Sequence, residues 1–450
     1  MEIINLLLVG ALGWFLAWSG LKKRDTDVPM PGHNRREDWK RAVERCGLQT
    51  AGKVYPQLTA RSGSVEVKIE TWGTTRDTRI VIKAPVALDF ERVKIHSQSA
   101  PRAREVNVGD PRFDNAFSLE GPALQLSALL DDDTRRRLCA VSAAWPLEVS
   151  RDGIVAVVSP DAWMTDILPS LLAIARRLGT PAVLPRDLVE NVKQDSESGV
   201  RLQNLLLLVR EFPGDPATVE ALRAACSDRS SAIRLRAARE LGAEGRDTLL
   251  QVAYSMDDDA ISAKAVSILD RDLPVERAKA ILDLARNTGS RQTALACVKA
   301  LGRGRGGDAA AGLLAEVLAS PNVTLAVAAV RALAPTRSPA AETALIRALR
   351  HEEADIRVAA AEALRDFGTA MAVLPLQQAI ERSRLDLDLR RAARQAIDEI
   401  QSRVQGAAPG QLSLAGTEAG QLSLAQEGGE LSLADDPAGR LTIPPERDPA

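Results

Sequence analysis

Four stretches of this chain have residue types and spacing suited to chemistry. Gly302-Arg-Gly-Arg-Gly-Gly307 matches G-x-G-x-x-G, the spacing with which backbone N–H groups at a helix N-terminus hold a pyrophosphate. Asp131-Asp-Asp133 and Asp257-Asp-Asp259 offer carboxylate oxygens to a hard cation. His96, Ser97 and Ser99 cluster an imidazole with hydroxyls. Each also has a plainer reading. The glycine run follows a helical pattern where a dinucleotide loop needs a strand, so it reads as a turn between helices, with Arg303 and Arg305 the residues that would meet an anion. The acidic triplets stand just before helical patterns, where carboxylates cap free N–H groups. Adjacent residues on a strand face opposite ways, which separates His96 from Ser97. Four scattered cysteines, Cys46, Cys139, Cys226 and Cys297, form no C-x-x-C pair and suggest neither a disulfide framework nor a zinc site. The expectation is no catalytic, cofactor-binding or metal-binding residue, no small-molecule substrate, and a chain that is not an enzyme; the alternative is an enzyme with its active site in an α+β domain over 39–180.

A column of single polar residues carries more information. Arg239, Ser267, Lys299, Arg331, Glu362 and Gln395 each stand two positions before the last aliphatic residue of a recurring helical phrase. The elements that position them are the phrases themselves: Ile233 to Leu241, Ile261 to Leu269, Thr293 to Leu301, Leu325 to Leu333, Ile356 to Leu364 and Leu389 to Ile397. In each, a small residue follows four positions after the first and an aliphatic residue four later, all on one helix face. A second helix precedes each phrase, as at Ala217 to Ala225, Val275 to Ala285, Asp308 to Leu318, Ala340 to Leu349 and Met371 to Ile380. Repetition every 28 to 33 residues, about one helix pair, predicts a solenoid whose units bury their apolar face only by stacking. The column then forms a polar stripe, basic at its start, that suits an acidic protein or peptide partner.

The stretches Ala354-Asp-Ile-Arg-Val-Ala-Ala-Ala-Glu-Ala-Leu364 and Ser231-Ala-Ile-Arg-Leu-Arg-Ala-Ala-Arg-Glu-Leu-Gly242 resemble the second helix of HEAT repeats, particularly the short variety of phycobilisome-lyase-like proteins. The whole layout is similar to bacterial membrane-anchored HEAT proteins. The resemblance implies an α-solenoid that lines its concave face with second helices and serves as a scaffold or adaptor, the alternative being a lyase-like HEAT protein. Enzymes of the deoxyhypusine hydroxylase type within this family hold two irons with several His-Glu pairs. This sequence has one such pair, His351-Glu352, and three histidines in all. Asp355 with Arg357, and Asp388 with Arg390, are expected to form ladders between repeats.

The rest of the chain supports a multidomain reading, with an anchor, a small α+β domain, an all-α solenoid and a disordered tail. About 19 uncharged residues from Ile3 to Leu21, Trp14 and Trp18 one turn apart, and the cluster Lys22-Lys23-Arg24 predict a transmembrane anchor over residues 1–24. Residues 25–38 read as a linker. Alternating runs at Ser64 to Glu70, Thr78 to Lys83, Val86 to Phe90 and Phe113 to Leu119, a helix over Ala123 to Val141, a hairpin at Pro146 to Ser159 and a helix over Ala162 to Leu178 predict an α+β domain over 39–180. Helix pairs fill 181–405, about seven in all, beginning with an atypical pair at Pro185 to Asp195 and Val200 to Val209. The tail, 406–450, is too poor in apolar residues to offset ordering entropy, yet repeats Leu-Ser-Leu-Ala three times. A net charge of −2 argues against nucleic acid as the partner. Basic flanks stay inside, which places the bulk of the chain on the cytoplasmic side of a bacterial inner membrane. A reporter active only outside the cytoplasm, fused after Val404, is therefore expected to stay silent; activity there would reverse the assignment.

Overall fold

The computed structural model describes residues 34–52, 57–72, 77–83, 94–97, 106–150, 153–382, 385–403, 412–414 and 422–424. The chain divides into two compact units, one ending at Glu211 and one beginning at Phe212. The apolar run with Trp14, Trp18, Lys22, Lys23 and Arg24 lies outside the described residues, as do the run at 86–90 and Ser99. Among the described residues no helix is long and apolar enough to cross a membrane.

The first unit opens with α1 (Arg35–Arg45), which starts inside the stretch read as linker. It continues through β1 (Gln49–Ala51), β2 (Gln57–Ser62), β3 (Val65–Trp72), β4 (Asp77–Lys83), β5 (Lys94–Ser97), α2 (Pro111–Ala116) and β6 (Phe117–Glu120). Next come α3 (Ala123–Leu129), α4 (Asp132–Ser142), β7 (Leu147–Ser150), β8 (Gly153–Val158), α5 (Met164–Leu178), α6 (Arg186–Gln194) and α7 (Ser198–Glu211). The eight strands form one antiparallel sheet in the order β1-β2-β3-β4-β8-β7-β5-β6. Alternation buries Val67, Ile69, Ile80, Ile82, Ile154, Ala156 and Val158 on one face, and α5 packs on β4 and β8. Asp38 of α1, fully buried, accepts the Met164 N–H at 2.7 Å and so caps α5. Gly153 has φ +128 and no room for a Cβ beside the Ile82 carbonyl, so glycine is required where β8 starts.

Two predicted elements change. Phe113 to Leu119 reads as a strand, but Pro111 begins a helix whose cap, Asp110, accepts the N–H groups of Arg112 at 3.0 Å and Phe113 at 3.2 Å. The strand is only Phe117–Glu120. A four-residue spacing of apolar residues suits either period, and the cap with its proline decides for helix. The single helix predicted from Ala123 splits into α3 and α4, because Asp131 accepts the Thr134 N–H at 2.9 Å and starts a new helix. Helices α6 and α7, taken from the sequence as the first solenoid pair, fall within the first unit.

The second unit holds six helix pairs among the described residues. They are α8 and α9 (Pro216–Ala225, Ser231–Leu241), α10 and α11 (Arg246–Ser255, Asp259–Leu269), and α12 and α13 (Val275–Thr288, Arg291–Arg303). The others are α14 and α15 (Gly307–Leu318, Val323–Leu333), α16 and α17 (Pro339–Ala348, Ala354–Phe367), and α18 and α19 (Ala370–Arg382, Leu387–Arg403). The small residue of each second helix, Ala237, Ala265, Cys297, Ala329, Ala360 and Ala393, is 0% exposed. From α11 to α19 each second helix packs along the next more closely than most successive first helices do, which makes the second helices the inner layer of this unit. Cys297 does a small residue's work there, and burial pushes its thiol up to about 12.

The glycine-rich match is resolved by this packing. Gly302 lies inside α13, where a Cβ would strike the backbone of Ala332 on α15, and Gly304 caps α13 by donating its N–H to the Ala300 carbonyl at 2.8 Å. The ladders between repeats exist with a different acid. Arg357 donates to Asp386 at 3.0 Å, and Asp386 also accepts the Leu389 N–H that opens α19, whereas Asp388 stands 3.8 Å from Arg391 and Asp355 faces elsewhere. The Leu389 N–H, first, and then Arg357, hold the Asp386 carboxyl below the usual carboxylate range. Asp259 likewise accepts N–H groups from Gln292 at 2.9 Å and Thr293 at 2.8 Å, capping α13 from the preceding repeat. In the tail, Leu412–Leu414 (β9) and Leu422–Leu424 (β10) pair antiparallel, so two of the repeated units are strands where the composition predicts disorder.

Ala360→Arg forces a long cation into a closed helix contact and is expected to cost several kcal/mol, whereas Arg331→Ala, at an exposed position, shifts stability by less than about 0.5 kcal/mol. Thermal melts giving the reverse order would overturn the repeat register.

Candidate functional site

All six members of the polar column, Arg239, Ser267, Lys299, Arg331, Glu362 and Gln395, are exposed on successive second helices. Packing brings two of them into one place. Lys299 of α13 and Arg331 of α15 line a single concavity of about 690 Å³, with Arg303 and with Asp355 from the first turn of α17. Leu295, Val323, Val327, Ala328 and Pro335 supply its apolar lining. Leu295 lies one turn before Lys299, and Val327 one turn before Arg331, so each helix shows the cleft an aliphatic residue followed by a cation. The close approach at Gly302 and Ala332 forms part of the floor.

A second concavity of about 460 Å³ shares Leu295 and Thr324 with the first, and Arg286 and Arg291 line it too. Together they make a groove along α13 and α15 with five cations and one carboxylate among the charged residues lining it. Lys299 and Arg331 have no ion-pair partner among the described residues, while Arg303 reaches Asp270 at 3.5 Å. Apolar surface between unpaired exposed cations is complementary to a ligand that offers both apolar groups and carboxylates. Arg239, Ser267, Glu362 and Gln395 share the register and lie outside the groove. Sequence reasoning missed Arg303 as a groove residue and assigned Asp355 to a ladder. No spacing in the sequence marked them: Leu235 precedes Arg239 by four positions as Leu295 precedes Lys299, yet only Lys299 lines the groove.

In the first unit the triplet Asp131-Asp132-Asp133 borders a concavity of about 310 Å³ with Arg136, Arg177, Asp187 and Glu190. Its carboxylates are engaged with cations: Asp131 with Arg177 at 2.9 Å, Asp132 with Arg136 at 3.0 Å and Asp133 with Arg137 at 2.7 Å. Among the described residues no group of three or more His, Cys, Asp or Glu is placed to hold a metal ion. Asp258 of the second triplet caps α11 through Ala260 and Ile261. His351 accepts the Glu353 N–H on Nδ1 and, through its carbonyl, a bond from Arg357.

One residue that sequence reasoning passed over holds the first unit together. Arg135, 1% exposed, donates through Nε to Asp110 at 2.9 Å, through both terminal nitrogens to the Asp195 carboxylate at 2.9 Å each, and to the Leu130 carbonyl at 2.8 Å. Burial works against its charge; the bonds to Asp195 and Asp110 outweigh that and raise its pKa above the ordinary value. Asp110 is at the same time the cap of α2, and Asp195 accepts the Glu197 N–H ahead of α7.

Residues 310–398 match the family model for HEAT repeats. No curated protein matches the chain. Among solved structures it is similar to human deoxyhypusine hydroxylase in complex with glycerol, at 17% identity over 48% of this chain and 96% of that one, with a TM-score of 0.22. It is also similar to an engineered protein, at 20% identity over 41% of this chain and 96% of that one, with a TM-score of 0.28. Residues 310–398 thus carry HEAT repeats. The expectation that the chain is not an enzyme is withdrawn, since a solved structure it is similar to is that of an enzyme, deoxyhypusine hydroxylase. Similarity at this level assigns no activity to this chain either.

Arg135→Ala is expected to destabilise the first unit by about 3–5 kcal/mol, because it leaves two carboxylates buried without a countercharge. Arg135→Met combined with Asp110→Asn and Asp195→Asn is expected to recover most of that loss. Urea titrations read on the first unit that show the single and combined variants equally stable would refute the account.

Proposed function

We propose that the second unit is an interaction scaffold that docks an acidic, leucine-bearing segment of a protein partner in the groove along α13 and α15. The observation that carries this reading is the convergence of Lys299 and Arg331 on one apolar-lined concavity, neither with an ion-pair partner among the described residues. Arg286, Arg291 and Arg303 extend the same field and would steer such a segment in from a distance. No aromatic residue lines the groove, so affinity is spread over modest contacts instead of resting on one anchor. We place the scaffold at the cytoplasmic face of a bacterial membrane, tethered by residues 1–24, on the strength of the apolar run and the basic cluster after it. The motif's likeness to phycobilisome-lyase-like short HEAT repeats supports a bacterial repeat protein and adds no residue role.

A labelled peptide of alternating glutamate and leucine tests the reading by fluorescence anisotropy on the full chain. Lys299→Glu with Arg331→Glu is expected to weaken binding roughly tenfold or more and to flatten its salt dependence. Arg239→Glu, outside the groove, is expected to change it little. Equal losses from the double and the Arg239 variants would reduce the effect to net charge and overturn the groove.

A further inference from the structure

We propose that the groove is occupied, in the resting chain, by the third Leu-Ser-Leu unit of the chain's own tail, Glu427 to Asp436. The proposal rests on the docking reading above and names its occupant. The first argument is chemical. Glu427 and Glu430 precede Leu431-Ser432-Leu433, and Asp435 and Asp436 follow it. In an extended bound segment Leu431 and Leu433 share a face. They meet Leu295 and Val327 while the flanking carboxylates reach Lys299, Arg331 and Arg303.

The second argument selects this unit from its siblings. The first two, around Leu412–Leu414 and Leu422–Leu424, pair with each other in the register Leu412 to Leu424 and Leu414 to Leu422, which commits one backbone edge of each. The first is followed by a single nearby carboxylate, Glu418, and the second by Glu427, and the last, at Gly439, carries Arg440. The third combines the leucine pair with four carboxylates.

The third argument is reach. Helix α19 ends at Arg403. With β9 and β10 paired, the path to the third unit is the eight residues 404–411, the width of the strand pair and the two residues 425–426. Ten linker residues span up to roughly 33–36 Å when extended. From α19 back to α13 is three steps between neighbouring second helices, roughly 24–30 Å at 8–10 Å per step. The unit therefore reaches the groove in cis, at an effective concentration in the millimolar range, and a partner must displace it.

The test uses the full chain. A variant with Glu427→Gln, Glu430→Gln, Asp435→Asn and Asp436→Asn keeps the length and leaves every helix untouched. A labelled peptide copying residues 427–438 is titrated against this variant, against the unaltered chain, and against both carrying Lys299→Glu with Arg331→Glu. The neutralised tail is expected to raise peptide affinity roughly tenfold or more, and the groove substitutions to abolish the gain. Zero-length carbodiimide coupling of the unaltered chain is expected to join Lys299 to a carboxylate of residues 427–436. Equal affinity for the unaltered and neutralised chains, with both weakened by the groove substitutions, overturns self-occupancy and leaves the docking reading standing. Affinity indifferent to Lys299 and Arg331 in every background overturns both.

Discussion

The second unit depends on a steric constraint that recurs once per repeat: the middle of each second helix must be small enough for its neighbour to lie against it. Ala237, Ala265, Cys297, Ala329, Ala360 and Ala393 all meet it with no exposed surface. Close approach lets the aliphatic residues four positions to either side interdigitate, which no single helix pair achieves alone. At α13 and α15 the requirement reaches its limit, since Gly302 faces the Ala332 backbone with no space for a Cβ. A sequence stretch that looks like a phosphate loop is there for this contact. The same constraint explains a buried cysteine among alanines and the inertness its raised pKa implies.

The groove is a by-product of that packing and not a separate element. With the small residue turned into the contact, a residue two before the last aliphatic position is turned out, and the exposed column follows from helix geometry. Why Lys299 and Arg331 converge while Arg239 and Glu362 stay outside is a matter of local filling. Leu295, Val327, Ala328 and Pro335 leave a cleft between α13 and α15. Asp355 in the same wall sets the polarity balance, and Arg357 is drawn away to Asp386 and to the carbonyl at His351.

The first unit answers a different problem, that of holding loops and caps from distant parts of the chain in one place. Its solution is a fully buried guanidinium. Arg135 binds the cap of α2 on one side and the residue leading into α7 on the other. The low dielectric that makes such bonds strong also makes each of the three charges costly without the others. Gly109 and Gly199 meet back to back with no room for side chains, so the loop before α2 and the first turn of α7 require glycine at their point of contact.

Much of the solenoid was determined by the sequence alone, because a period of about one helix pair and an i, i+4, i+8 pattern are properties of a single helix face and need no knowledge of its neighbours. The hairpin of β7 and β8, the helix ending at Gly179 and the capping role of Asp131 and Asp258 were legible for the same local reason. The column of polar residues was legible too, as a register. The tertiary structure alone decided which of its members share a groove, that Asp355 belongs to it, and that Asp386 is the acid paired with Arg357. It also decided that Phe113 lies in a helix and that α6 and α7 belong to the first unit. Arg135 is the clearest case. Nothing in Arg135-Arg136-Arg137 distinguishes the buried residue from its two more exposed neighbours, because what selects it is a pair of carboxylates 25 and 60 positions away that only the folded chain brings within 2.9 Å.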